Sequence, residues 1–365
     1  MKKIKNLSLI AAAAAGAGMG ACAVSAAILY KKTIPRPKGV DMAIVDEFAD
    51  KEKFEEYMEK LAPIANWLEE QSLEEIDIEA RDGINLHGYY LAAEKNSEEE
   101  PGKKLGKEPG EEAGKEPGEN LGLKSDMRSG RKLAILHHGF TSTAQDNMVH
   151  AKFFHDEGYD VLLLDLRAHG KSGGKYVGFG ILDRYDTLEW IRYCVRRFGE
   201  DVKIVLFGVS MGATTSLMTL EFEEAQKYVF AVVADCAFTS PGEIFGHVIS
   251  TKYHLPAKPV IKLNGLYSRR VAGYTFDEFS TREALAGNQV PVLLIHGQKD
   301  KFVPLWMAED NLNACCSKKE LLVVPEAGHG SSVFEDPDLY QDAESRFLRE
   351  ALEEEAERAL ARVQV

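Results

Sequence analysis

The chain has 365 residues, of which 45% are hydrophobic and 28% charged, a balance typical of a soluble globular protein with one large domain or two small ones. Its formal net charge of −14 disfavours nucleic acid as a partner, because a phosphate backbone requires a basic face. Five cysteines without a CxxC pattern argue against a disulfide framework and against a structural zinc site.

The N-terminal residues 1–32 are predicted to form a membrane anchor or a signal segment. Lysines precede residues 7–30, which carry no charge. As a helix this stretch would be about 36 Å long, enough to cross a hydrocarbon core of about 30 Å. We favour a retained anchor, because the apolar run is longer than the usual core of a signal peptide. Small residues before Ala23 and Ala27 leave cleavage open, and Cys22 leaves a lipoprotein open.

Residues 33–71 are interpreted as a linker followed by an amphipathic helix. Apolar side chains recur near helical spacing at Phe54, Met58, Leu61 and Leu68. This pattern favours a helix that packs against the following domain. A membrane-surface role is the weaker alternative, because the polar face of the helix is acidic.

Residues 72–365 are predicted to form one domain that begins with a β-hairpin, whose turn lies at 81–83. An insert at 94–130 then interrupts the pattern. The run Gly-Lys-Glu-Pro-Gly-Glu occurs at 106–111 and again at 114–119. A repeat of this composition buries too little apolar surface to offset the entropy of ordering, so we expect a disordered loop between two strands.

From residue 132 onwards, short apolar strands alternate with helical patterns, which predicts an α/β fold with a mostly parallel, doubly wound sheet. The candidate strands are 133–137, 161–166, 204–207, 229–234, 292–296 and 321–324. The segment 238–288 exceeds one crossover helix. We interpret it as a small helical cap.

Ser210 is the candidate nucleophile. It lies in the run Gly-Val-Ser-Met-Gly at 208–212, which follows a predicted strand and precedes a predicted helix. Glycines on both sides of the serine permit a tight strand-to-helix turn that exposes the hydroxyl and directs the next N–H at the substrate. The motif alone is weak evidence, but its context here is the one that the chemistry requires.

Two further strands end in an acid and a histidine. Asp300 follows the strand at 292–296, and His329 follows the strand at 321–324. A serine hydroxyl needs a base to remove its proton, and a carboxylate fixes the tautomer of that base. Ser210, Asp300 and His329 therefore form the predicted triad. Asp235, which also ends a strand, is the rival acid.

Backbone N–H groups of Phe140 and Met211 are the predicted oxyanion hole, because the His-Gly-Phe turn at 138–140 brings the backbone close to the substrate. The polar loop 165–172 is expected to brace neighbouring loops, although its His169 resembles a base. Neither a metal nor an organic cofactor is expected. His137 and His138 are not a metal pair, since neighbours on a strand point to opposite faces.

These segments resemble the α/β-hydrolase superfamily, and within it the bacterial serine-aminopeptidase-like hydrolases with an N-terminal membrane segment. The resemblance rests on the turn at 138–140, the loop 165–172, the elbow at Ser210, Asp300 with the run 302–304 behind it, and His329. It implies a membrane-anchored bacterial hydrolase that forms an acyl-enzyme. Cations on both sides of residues 7–30 leave the orientation open, and we favour an extracytoplasmic catalytic domain.

The resulting hypothesis is a serine esterase that cleaves small carboxylic esters. The same triad serves an amidase or peptidase of the serine-aminopeptidase type, and an acyltransferase or a non-catalytic binding module on this fold are further alternatives. The apolar residues of 238–288, among them Phe245, Leu263 and Leu266, are expected to line a pocket facing Ser210, which would favour acyl chains over charged peptides.

Overall fold

The computed structural model describes residues 33–37, 51–93 and 130–363. The predicted membrane segment at 1–32 and the predicted insert, apart from Gly130, lie outside the described residues. Within the described part of the chain, every helix is too short or too polar to cross a bilayer.

Eight strands form one sheet in the order β1-β2-β4-β3-β5-β6-β7-β8. β2 pairs antiparallel with β1 and with β4, and all the other neighbours are parallel. The predicted hairpin and the predicted parallel sheet are therefore both confirmed. The strands are β1 (Glu74–Glu79), β2 (Asn85–Leu91), β3 (Lys132–His137), β4 (Asp160–Asp165), β5 (Lys203–Val209), β6 (Val229–Asp235), β7 (Val292–Gly297) and β8 (Lys319–Val324).

Helices cover both faces of the sheet. Alternate residues of each strand point to opposite faces, so Leu133 and Ile135 belong to one buried cluster, and Ala134 and Leu136 to another. The helices are α1 (Lys51–Glu70), a 3₁₀ turn (Ala144–Asn147), α2 (Met148–Asp156), α3 (Asp183–Phe198), α4 (Met211–Thr219), α5 (Glu223–Tyr228), α6 (Pro241–Lys252), α7 (Ala257–Val271), α8 (Thr281–Ala286), α9 (Trp306–Ala314), α10 (Ser332–Glu335) and α11 (Pro337–Val363).

The segment between β6 and β7 contains α6, α7 and α8. α6 begins at a favourable N-terminus, because the Ser240 hydroxyl accepts the N–H of Glu243 and a proline occupies the first helical position. Phe245 of α6 packs edge-on against Phe179 and Phe276 in a third buried cluster. α6 and α7 thus share a buried cluster with residues of the rest of the domain, among them Leu166, Phe179 and Met211.

Residues 33–37, predicted to be part of a linker, lie against the domain. The Ile34 side chain is fully buried in the third cluster. Arg36 donates to the Ser172 carbonyl at 2.6 Å and to the Gly170 carbonyl. An isoleucine between polar and proline residues gives no periodic signal, so sequence reasoning did not detect this contact.

Candidate active site

Ser210 lies between β5 and α4 in a backbone conformation that side chains rarely adopt, with φ 54° and ψ −111°. The flanking glycines are required by close contacts. A Cβ on Gly208 would lie 2.3 Å from the carbonyl carbon of Gly212, and one on Gly212 would lie 2.1 Å from the carbonyl oxygen of His137. The tight turn therefore depends on both glycines, and it holds the serine at the carboxyl edge of the sheet.

The structure brings together the three side chains that were predicted to act as a triad. The distance from Ser210 Oγ to His329 Nε2 is 2.9 Å, and His329 Nδ1 lies 2.7 Å from Asp300 Oδ2. The other oxygen of Asp300 accepts the N–H groups of Phe302 and Val303, at 2.9 and 2.8 Å. These bonds orient the carboxylate toward the imidazole.

The electrostatics of His329 make its imidazole a stronger base than a free histidine side chain. Burial alone would lower the pKa of His329, but the charge and hydrogen bond of Asp300, with the charge of Asp235 behind it, raise the pKa above its usual 6.5. The imidazole can therefore accept a proton from Ser210 and later return it to a leaving group.

Asp235, the rival acid, is buried behind this site. Its Oδ2 accepts the Tyr340 hydroxyl at 3.2 Å, while its Oδ1 has no hydrogen-bond partner among the described residues. Burial raises the pKa of Asp235 to about 7, and the charge of Asp300 adds to the shift, although His329 opposes it. Its side chain makes no hydrogen bond to His329, so the geometry favours Asp300 as the partner of the imidazole.

Phe140 and Met211 lie on either side of the serine, where the predicted oxyanion hole would be. Met211 is the first residue of α4, so its N–H has no acceptor within the helix. Phe140 belongs to the turn that lines the cavity beside Ser210. That turn approaches closely at Gly139, because a Cβ added there would come within 3.8 Å of Ser210 Cβ.

Two other histidines near the site, His138 and His169, are engaged in structural hydrogen bonds. His138 Nε2 accepts the Leu166 N–H at 3.0 Å, which leaves Nδ1 to donate to the Gly139 carbonyl. His169 Nε2 accepts the Thr141 N–H at 3.3 Å. Burial lowers the pKa of His138 to about 4 and that of His169 to about 3. Both rings are thus neutral and brace the turn at 138–141.

The loop 165–172 also braces its neighbours. Asp165 accepts the Ala144 N–H at 2.9 Å and the Lys171 N–H at 2.7 Å. The Ser172 hydroxyl donates to the Asp165 carbonyl and accepts the His87 N–H at 2.8 Å. The loop therefore ties the ends of β2 and β4 to the turn that carries Phe140.

A cavity of about 1060 Å³ opens above Ser210. Its polar floor contains Ser210, His329 and Asp300. Much of its wall is apolar and is contributed by the turn at 138–142, by α2 and by the loops after β7 and β8. The apolar side chains of this wall are Met58, Leu61, Phe140, Val149, Val209, Phe302, Val333 and Phe334.

The helix α1 forms one side of this cavity, which the sequence did not reveal. Tyr57 stacks on Phe334 with ring centroids 4.9 Å apart, and both Tyr57 and Lys53 contact the Glu335 carboxylate. Met58 and Leu61 line the same wall. The helical spacing at these positions was visible in the sequence, but the partner surface around residue 335 was not.

The segment 238–288 contributes no residue to the lining of this cavity. The expectation that its apolar residues face Ser210 is therefore wrong for the described pocket. Phe245 is buried between other aromatic rings, while Leu263 and Leu266 point to solvent. Sequence composition showed that the segment is apolar but could not show which neighbours would bury it.

One group of side chains near Ser210 has the spacing of metal ligands. The Cys236 thiol, Asp300 and His329 offer ligand atoms within 4.8 Å of one another. Burial raises the pKa of the Cys236 thiol well above its usual value, so the sulfur is held as the neutral thiol, a poor ligand. Asp300 and His329 already hydrogen-bond to each other, which fits the group better to proton transfer than to a cation.

Comparisons with known proteins agree with this geometry. A family model described as the alpha/beta hydrolase family matches residues 134–343. The chain is similar to the uncharacterised protein YqkD of Bacillus subtilis, with 26% identity over 59% of this chain and 70% of YqkD. It is also similar to the uncharacterised protein YfhR of Escherichia coli K12, with 28% identity over 54% of this chain and 63% of YfhR, less than two thirds of that relative.

Solved structures share the fold. The Pyrococcus furiosus esterase Pf2001 aligns with a TM-score of 0.55 and 23% identity, over 77% of this chain and 93% of the esterase. Est1E from Butyrivibrio proteoclasticus, solved with ferulic acid bound, aligns with a TM-score of 0.52 and 16% identity, over 76% of this chain and 99% of Est1E. At such identities the likeness establishes the architecture of the domain.

Proposed function

The chain belongs to the alpha/beta hydrolase family, and we propose that it is a serine hydrolase that cleaves carboxylic esters through an acyl-enzyme intermediate. The observation that carries the proposal is the hydrogen-bonded chain from Ser210 through His329 to Asp300, placed on the floor of a cavity. We further propose that it is one of the bacterial serine-aminopeptidase-like members of the family.

The reaction would begin with His329 Nε2 removing the proton of Ser210 as Oγ attacks the ester carbonyl carbon. The carbonyl oxygen becomes an oxyanion, which the N–H groups of Met211 and Phe140 would stabilise. His329 then gives its proton to the alcohol oxygen, the C–O bond breaks, and an acyl-serine remains. Water, deprotonated by His329, attacks the acyl carbon and releases the acid. Asp300 holds the tautomer and stabilises the imidazolium throughout.

The lining of the cavity supports an ester with an apolar acyl group. Met58 and Leu61 on α1 and Phe334 on α10 surround the space above Ser210. Apolar walls around a small polar floor are typical of sites that bind uncharged organic ligands. The esterase Pf2001 shows that the fold accommodates this chemistry in another protein.

A fluorophosphonate probe tests the nucleophile. We expect the full chain to be labelled and the Ser210→Ala variant to be neither labelled nor active on p-nitrophenyl butyrate, with its melting temperature retained because the hydroxyl is small. The matched control is Ser345→Ala, which removes a half-buried serine of α11 that lies outside the cavity. Ester turnover that persists in Ser210→Ala would exclude the proposal. If the chain hydrolyses aminoacyl amides in preference to esters, the amidase alternative is favoured instead.

A further inference from the structure

The distribution of charge along the chain is uneven at α6 and α7. Residues 244–276 contain no aspartate or glutamate, although the whole chain has a formal net charge of −14. Five cations lie in this stretch, and four of them are on or next to the exposed side of α7. These four are Lys258, Lys262, Arg269 and Arg270.

The exposed side of α7 is also apolar. Val260, Ile261 and Asn264 are buried against the domain, so this face of the helix is already occupied. Leu263 and Leu266 point the other way and are 44% and 60% exposed. They lie three residues apart and therefore on one stripe of the helix. We name Leu263 and Leu266, with the four cations around them, the α7 surface.

Several cations elsewhere on the described surface are paired with acids. Arg346 contacts Glu320 at 2.6 Å, and Arg192 contacts Glu224 at 2.5 Å. In contrast, none of the four cations of the α7 surface forms an ion pair with a carboxylate of the described residues. Their charge is thus available to an external partner.

We propose that the α7 surface docks on an anionic lipid bilayer. Cations on a helix gain free energy near a negatively charged leaflet, and leucines between them can enter the boundary between headgroups and acyl chains. Exposed leucines would add nothing to phosphate binding on a nucleic acid. The combination of apolar side chains and unpaired cations therefore favours a lipid surface. This peripheral contact is independent of the ester chemistry and of any anchor in residues 1–32.

Lysine acetylation footprinting locates the contact in the full chain. The chain is mixed with vesicles of phosphatidylcholine alone or of phosphatidylcholine with phosphatidylglycerol, and acetylation rates are read by mass spectrometry. With enough anionic vesicle to bind most of the chain, we expect the rates at Lys258 and Lys262 to fall at least about fivefold, and not to fall with phosphatidylcholine alone, because each cation near an anionic surface increases the binding constant by about that factor. High salt should reverse the effect by screening.

Two double variants, each with a matched control, separate the contribution of the leucines from that of the cations. Leu263→Ser with Leu266→Ser, and Arg269→Glu with Arg270→Glu, should each abolish the protection of Lys258. Leu339→Ser on α11, an exposed leucine outside this surface, and Lys227→Glu with Lys319→Glu should leave it intact. Ser210→Ala should also leave it intact, so failure of the hydrolase proposal remains distinguishable.

Several outcomes would overturn the inference. Unchanged acetylation with anionic vesicles excludes lipid docking at α7, and equal protection by both vesicle types excludes a role for the cations. Protection without vesicles that increases with protein concentration would instead assign the surface to a second copy of the chain.

Discussion

At the scale of single residues, His329 sets the pH range in which the proposed chemistry operates. Burial lowers the pKa of its imidazole, but the charge and hydrogen bond of Asp300 raise the pKa by a larger amount. The net shift is therefore upward from 6.5. The base works only when it is neutral, and kcat/KM must therefore fall as pH falls through this pKa.

We accordingly expect the acidic limb of the kcat/KM profile for p-nitrophenyl butyrate to have its midpoint above pH 6.5. Removing the charge of Asp300 in Asp300→Asn should move that midpoint downward, because the main raising influence is lost. The measurement is initial rate against pH at constant ionic strength. A midpoint below 6.5 in the unmodified chain would contradict the pKa direction given for His329.

The two buried acids next to His329 are predicted to differ in their roles. Asp300→Asn should lower kcat by up to about 10⁴, as loss of the correct tautomer does in serine proteases. Asp235→Asn should retain most activity, because Asp235 bonds to Tyr340 and not to His329.

Stability provides the second readout for this pair. The pKa of Asp235 is raised to about 7, so its ionisation destabilises the fold increasingly as pH rises from about 4 to about 7, and by a constant amount above that. Asp235→Asn should therefore raise the melting temperature at pH 8 and change it little at pH 4. If Asp235→Asn abolishes activity while Asp300→Asn does not, the assignment of the acid is wrong.

At the scale of elements, the strands and the residues at their ends were predictable. β5 and β7 are buried along nearly their whole length, so each is a continuous apolar run. Ser210 follows β5 directly, Asp300 lies in the loop after β7, and His329 lies in the loop after the less buried β8. In contrast, the position of α1 depends on contacts between residues near 57 and residue 335, and a periodic pattern does not specify a partner so distant in sequence. The same limitation applies to the helices of 238–288.

Met58 and Leu61 on α1 should determine how the cavity accepts acyl chains. Each buried methylene contributes about 0.8 kcal/mol, so kcat/KM should rise roughly fourfold per added CH₂ from p-nitrophenyl acetate until the cavity is full. Met58→Glu and Leu61→Glu should lower kcat/KM for the octanoate ester at least about tenfold more than for the acetate. The control is Leu339→Glu, which changes an exposed leucine outside the cavity. An equal loss on both esters would show that α1 does not contact the acyl chain.

At the scale of the whole molecule, the N-terminal part of the chain has two separable roles. Residues 1–32 are proposed to anchor it in a membrane, whereas residues 33–37 contribute to the folded domain through Ile34 and Arg36. The docked segment therefore begins directly after the proposed anchor. With residues 1–32 anchored in a bilayer as proposed, it would limit how freely the domain can move relative to the membrane.

Two truncated chains should separate these roles. A chain that begins at Lys32 should leave the carbonate-washed membrane fraction and keep its activity, because it lacks the uncharged run but retains Ile34.

A chain that begins at Lys38 should also be soluble but less stable, since fully burying an isoleucine contributes about 1.5–3 kcal/mol. For a domain of this size the melting temperature should fall by roughly 3 °C or more. Carbonate-resistant association of the Lys32 chain would exclude residues 1–32 as the sole anchor, and native protein beginning near Ala23 or Ala27 would identify a cleaved signal. Equal melting temperatures for the two truncated chains would mean that Ile34 does not stabilise the domain, despite its complete burial.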